Sequence, residues 1–171
     1  MLRTLLLATL LAVPALADDH PPRIQTPNDF PEVKITSTFA YDRGYAVWAL
    51  SVNGKKCTDR GEATNRIMAL RHWTKLSRTD REHLADLWTR QVLLSGQDLI
   101  EEPSPAFLAA KQAFQPFTVS STSAGQVTVS AWVEGPSGMR PGHDYYHERH
   151  VFSSDGHYRA LKDETFSDRQ L

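Results

Sequence analysis

The chain has 171 residues, with 19 Lys and Arg against 20 Asp and Glu, a formal charge of −1 when its seven histidines are neutral. This near-neutral mixture argues against a protein whose main partner is nucleic acid or an anionic membrane surface. Cys57 is the only cysteine, which rules out an intramolecular disulfide and leaves stability to the core; about 150 residues can bury roughly 70% of their unfolded surface without staples.

Met1–Ala17 reads as a cleavable secretory signal peptide. Arg3 supplies a basic start, Leu5 to Val13 is an apolar run interrupted only by Thr9, and Pro14 breaks it ahead of the small-x-small site Ala15-Leu16-Ala17. The run is far short of the ~20 apolar residues of a spanning helix, and no second run follows, so no membrane span is expected after cleavage. Cleavage after Ala17 leaves 154 residues with 18 basic against 20 acidic side chains. No Asn-x-Ser/Thr acceptor occurs, which with the lone cysteine favours a bacterial periplasmic or secreted protein.

Asp18–Pro31 carries Pro21, Pro22, Pro27 and Pro31 among polar residues and reads as an extended, mobile leader. A single domain is expected over residues 32–171. Val33, Ile35, Phe39 and Tyr41 alternate with Lys34, Thr36, Thr38 and Ala40, the pattern of a half-buried strand, and Asp42-Arg43-Gly44 is turn chemistry. Tyr45–Val52 is a return strand; Asn53-Gly54 suits a type I′ turn into a short third strand, Lys55–Cys57.

Asp59 with Glu62, followed by Ile67, Leu70, Trp73 and Leu76, predicts a capped helix over Gly61–Leu76. Thr79 with Glu82 opens a second helix whose apolar face is Leu84, Leu87, Trp88 and Leu94, with Gly96 as its C′ residue. Ser104-Pro105 starts a third, Pro105–Phe114. Period-two segments then return at Phe117–Thr122 and Gln126–Glu134, with Val127, Val129 and Ala131 on one face and Trp132 on the other, and again at Tyr145–Phe152 and His157–Leu161. The expectation is an α+β domain: an antiparallel sheet, built from an N-terminal meander and C-terminal hairpins, with two to three central helices packed on one face.

Four of the seven histidines fall between residues 143 and 157. His143, His147 and His150 are the candidate ligands for zinc or another transition metal, whether for metal carriage or for a hydrolase that acidifies a bound water. Strand alternation puts His143 and His147 on one face and His150 on the other, so convergence requires a bulge or loop to re-aim a side chain. Trp48 and Trp132, beside Tyr145 and Tyr146, would form a protein or carbohydrate binding surface if a sheet face is left open. Cys57 lies among Lys55, Lys56 and Arg60 but in no nucleophile motif; exposed, it would join two chains through a disulfide. No Gly-x-Ser-x-Gly elbow, Ser-x-x-Lys motif or phosphate-binding glycine loop occurs. The residues therefore point to an exported binding or accessory module, with metal binding as the alternative.

Overall fold

A computed structural model describes residues 22–40, 45–95, 98–100, 105–110, 114, 117–134 and 144–167. The fold is α+β, with an N-terminal meander, a central helical segment and C-terminal hairpins. Meander and hairpins form two separate antiparallel sheets, of four and five strands, in place of the single sheet expected.

The first sheet runs in chain order: β1 (Arg23–Gln25), β2 (Val33–Ala40), β3 (Tyr45–Val52) and β4 (Lys55–Lys56). Val33 pairs with Val52 and Ile35 with Leu50, which puts these four buried side chains on one face. Asn53 and Gly54 take φ of 49° and 74°, the left-handed conformations a type I′ turn requires. The Asp42-Arg43-Gly44 turn lies outside the described residues.

The segment expected as a mobile leader belongs to the domain from Arg23 onward. β1 pairs with β2, and Phe30 is buried with its ring edge-on to Trp88 at 4.9 Å. Arg71 secures the same stretch through an ion pair with Glu32, a hydrogen bond to the Asp29 carbonyl and a position 5.5 Å above the Phe30 ring. Burial of Phe30 contributes roughly 1.5–3 kcal/mol toward ordering this segment, and the β1–β2 ladder and the Arg71 contacts supply the rest of what holds it.

α1 (Arg60–Leu70) starts where expected: the Asp59 carboxylate accepts the Glu62 N–H, and Glu62 in turn accepts from the backbone and hydroxyl of Thr58. It stops six residues early. His72 adopts φ 53°, ψ 44°, a left-handed stop without glycine, and Trp73–Lys75 form a 3₁₀ turn. The break lets the buried Trp73 donate its indole N–H to the Ser153 carbonyl at 2.8 Å. α2 (Arg78–Trp88) is capped by Ser77, which accepts from Asp80 N–H, and not by the Thr79–Glu82 pair. It runs into a π turn at Thr89–Leu93; Gly96 lies outside the described residues.

β5 (Asp98–Leu99) and β6 (Phe117–Ser121) lie end to end along one edge of β7 (Val127–Glu134). β8 (Asp144–Phe152) pairs along the other edge, and β9 (Tyr158–Ser167) closes the sheet. α3 (Pro105–Ala110) precedes β6. α1 packs on β3 and β9, α2 on β7 and β6. Consequently one core joins Val33, Ile35, Leu50 and Val52 of the first sheet to Ile67 and Met68, Ala85 and Trp88 of the helices, and to Val127, Val129 and Phe152 of the second. Among the described residues no helix is long and apolar enough to cross a membrane.

Candidate functional site

The β7–β8 register is continuous, so alternation along β8 is strict. His147 pairs with Trp132 and His150 with Val129, which places the two imidazoles on opposite faces of the sheet. A bulge does occur beside them, but Asp163 of β9 is the extra residue, and β8 is not re-aimed. His147 and His150 therefore cannot share one ion; His143 lies outside the described residues. Among the described residues no three His, Cys, Asp or Glu side chains group as a metal site.

Trp132 and Tyr145 do not form an open surface. Both are buried under Phe107 of α3, whose ring meets theirs edge-on at 4.9 Å, with Phe114 and Phe166 completing the cluster. His147 lies tilted against Trp132 at 5.0 Å. Tyr146, on the opposite face, is half-buried and covered by the Lys162 ammonium 3.2 Å from its ring centroid. The Trp48 side chain lies outside the described part of the structure. A third helix was legible in the sequence; that it covers the outer face of the second sheet was not.

Cys57 is buried, with 4% of its surface exposed, so the condition for a disulfide-linked dimer is not met. Burial raises its thiol pKa, the larger effect, against the opposing pull of Arg66. Both the nucleophile and the cross-link need an accessible thiolate, and the end of β4 supplies a small core hydrophobe instead.

His150, by contrast, anchors a buried polar cluster that the sequence pattern concealed. It is 2% exposed; its Nδ1 is 2.8 Å from the Tyr158 hydroxyl, and its Nε2 is buried, without a hydrogen-bond partner among the described residues, 3.7 Å from Glu148 Oε2. Desolvation, with a smaller contribution from Arg60, lowers its pKa to about 4, so the imidazole is neutral at pH 7. Burial likewise pushes the Tyr158 phenol far above its usual value. Arg60 spans to the π turn, donating to the Leu93 carbonyl at 2.6 Å, while Asn65 of α1 accepts the Tyr158 N–H. The cluster thus sits where α1 meets β8 and β9.

Among the described residues a depression runs along residues 25–28 and Gln91, and two others compete as ligand sites. One is shallow, lined by Asp59, Gly61, Glu62, Asn65, Arg66 and Ala69. Its polar groups are already committed to capping α1, to the Glu62–Arg66 ion pair and to Tyr158. The other is a cleft of about 340 Å³ between the Phe30 turn and α2. Phe30, Leu76, Leu84 and Leu87 form its floor, and Asp29, Arg71, Asp80 and His83 its rim. Leu84 and Leu87 were legible as one helix face and Leu76 as the end of the preceding helix, but the cleft needs Phe30 brought over them, which no local pattern announces.

Compared with known proteins, the chain matches no family model, no curated protein and no solved structure.

Proposed function

We propose that this chain is the precursor of a small exported binding or accessory module of the bacterial cell envelope or extracellular space, acting by binding and not by catalysis. Its ligand is a short stretch of another protein seated in the cleft between the Phe30 turn and α2. The observation that carries this reading is the cleft itself: an apolar floor of Phe30, Leu76, Leu84 and Leu87 ringed by charged side chains. Its volume is at the small end of ligand pockets, which suits one or two anchoring side chains better than a large ligand. A carbohydrate would need an open aromatic platform, and Trp132 and Tyr145 are already covered by Phe107. Export is supported by the basic, apolar and small-residue order of residues 1–17.

Both parts are testable. Expression of the full chain in a bacterial host should give a periplasmic or secreted product whose intact mass begins at Asp18; retention of residues 1–17 in the cytosol would overturn the export reading. Peptides selected by display on the processed protein should lose binding to a Leu84→Gln variant of unchanged melting temperature. Selected peptides indifferent to that change, or none at all, would remove the cleft as the site.

A further inference from the structure

His150 is the one titratable side chain at the seam between α1 and the second sheet that is both buried and short of a partner at a ring nitrogen among the described residues. We propose that it is an acid-operated latch: protonation at Nε2 releases the first turn of α1 from β8 and β9. In the closed state the imidazole is neutral and stacked on Tyr158, ring planes 11° apart, with the two side chains joined through Nδ1 and the hydroxyl. The charged groups that reach it are Arg60 of α1 and Glu148 of β8; Asp59, the cap of α1, lies beyond on the Tyr158 side. A proton on Nε2 would place a second cation near Arg60 in a site shielded from solvent, and that like-charge pair opposes the closed arrangement.

What yields is set by how each element is held. β8 is clamped between β7 and β9 along its whole length by backbone ladders. The start of α1 has no backbone ladder to the sheet: it is held by the Asp59 cap, the Arg60 bond to Leu93, the Asn65 bond to Tyr158, the Thr64 bond with Trp88 and the buried Ala63. Moving this turn outward lets water reach His150 and allows the imidazolium to close its 3.7 Å gap to Glu148 as an ion pair. Glu148 therefore favours the open, protonated state and Arg60 the closed, neutral one.

Cys57 reports the opening, since it is buried two residues before the Asp59 cap. Its modification by 4,4′-dithiodipyridine, a reagent active in mild acid, should be followed on the purified chain, each rate normalised to that of the urea-unfolded chain at the same pH. One proton coupled to opening predicts a normalised rate rising up to tenfold per pH unit below about pH 6.5. His150→Gln should flatten that dependence, and Glu148→Gln should displace it to lower pH. An equal slope in His150→Gln, or a wild-type rate that does not rise, would overturn the latch. Should His150→Gln not fold, amide exchange of the wild-type chain decides alone. After correction for intrinsic rates, acid should deprotect residues 60–70 before 127–134; simultaneous loss in both segments would show ordinary acid unfolding and sink the proposal.

Discussion

The Tyr158 hydroxyl lies 2.8 Å from Nδ1 of His150, although the two residues are not direct partners in the β8–β9 ladder. Tyr158 pairs with Phe152 and His150 with Ala160, so the contact is a diagonal one on the core-facing side of the sheet. That geometry buries a weak base where water cannot solvate its charge, and the pH dependence of stability follows. In the unfolded chain the imidazole takes its proton near pH 6.5; in the fold it does so only near 4. Between those values the unfolded state binds more protons, so acid destabilises the fold across this window and the effect levels off below it. The total is roughly 3 kcal/mol. Urea midpoints measured from pH 7 to 4 should fall accordingly in the wild type, and the decline above pH 5 should be largely absent in His150→Gln. The carboxylates of Glu62, Glu82 and Asp155, whose pKa values are lowered by hydrogen bonds, lose their contributions only at lower pH, which separates the two effects.

A second buried polar contact ties the two main helices. The Trp88 indole N–H donates to the Thr64 hydroxyl at 2.9 Å, and both residues have no exposed surface. Thr64→Val keeps the volume and strands the indole N–H in the core, at a cost of about 1–3 kcal/mol. Thr64→Ser should retain most of the stability. Equilibrium urea unfolding of the three proteins, with the Trp emission as a second probe, checks the order.

Much of the architecture was legible because it depends on local chemistry. Asn53-Gly54, the Asp59–Glu62 cap and the alternation of Val127, Val129 and Ala131 each act within a few residues, and each is present as read. The failures share a different cause. The early stop of α1 comes from His72 in a left-handed conformation, held by the burial of Trp73 and its bond to Ser153, eighty positions away. Phe30 was read as leader because its partner, Trp88, is distant in sequence. His150 stood in a histidine-rich string whose other described member near it, His147, faces the opposite way, so the cluster that matters spans β8, β9 and α1.

Phe107 is the third point of leverage. Its ring makes edge-on contacts with Phe114, Trp132, Tyr145 and Phe166 at centroid distances of 4.9 to 5.4 Å, and it is fully buried although α3 has only six residues. Removing the ring leaves this outer cluster without its centre while the core between the sheets is untouched. Phe107→Ala should therefore cost about 3–5 kcal/mol. Iodide quenching of the total tryptophan emission should rise as the Trp132 indole opens to solvent while the buried Trp73 and Trp88 stay shielded. A stability loss below 1 kcal/mol with unchanged quenching would show that the rest of the cluster closes over the gap.

Two glycines with similar backbone angles separate strain from packing. Gly54 has φ +74° and open space where a Cβ would project, whereas Gly156 has φ +91° and would bring a Cβ to 3.3 Å from Trp73 Cδ1 and 3.6 Å from Met68 Cβ. Alanine at 54 should cost only the left-handed backbone penalty, roughly 1–2 kcal/mol. Alanine at 156 adds displacement of a buried indole whose N–H is fixed on Ser153, so its cost should exceed that of Gly54→Ala by about 1–3 kcal/mol. Thermal melts of the two variants give the comparison directly. Equal losses would mean that Trp73 can shift without surrendering its hydrogen bond, and the tight seat of the β8–β9 turn on the end of α1 would then contribute little to holding the helical segment against the second sheet.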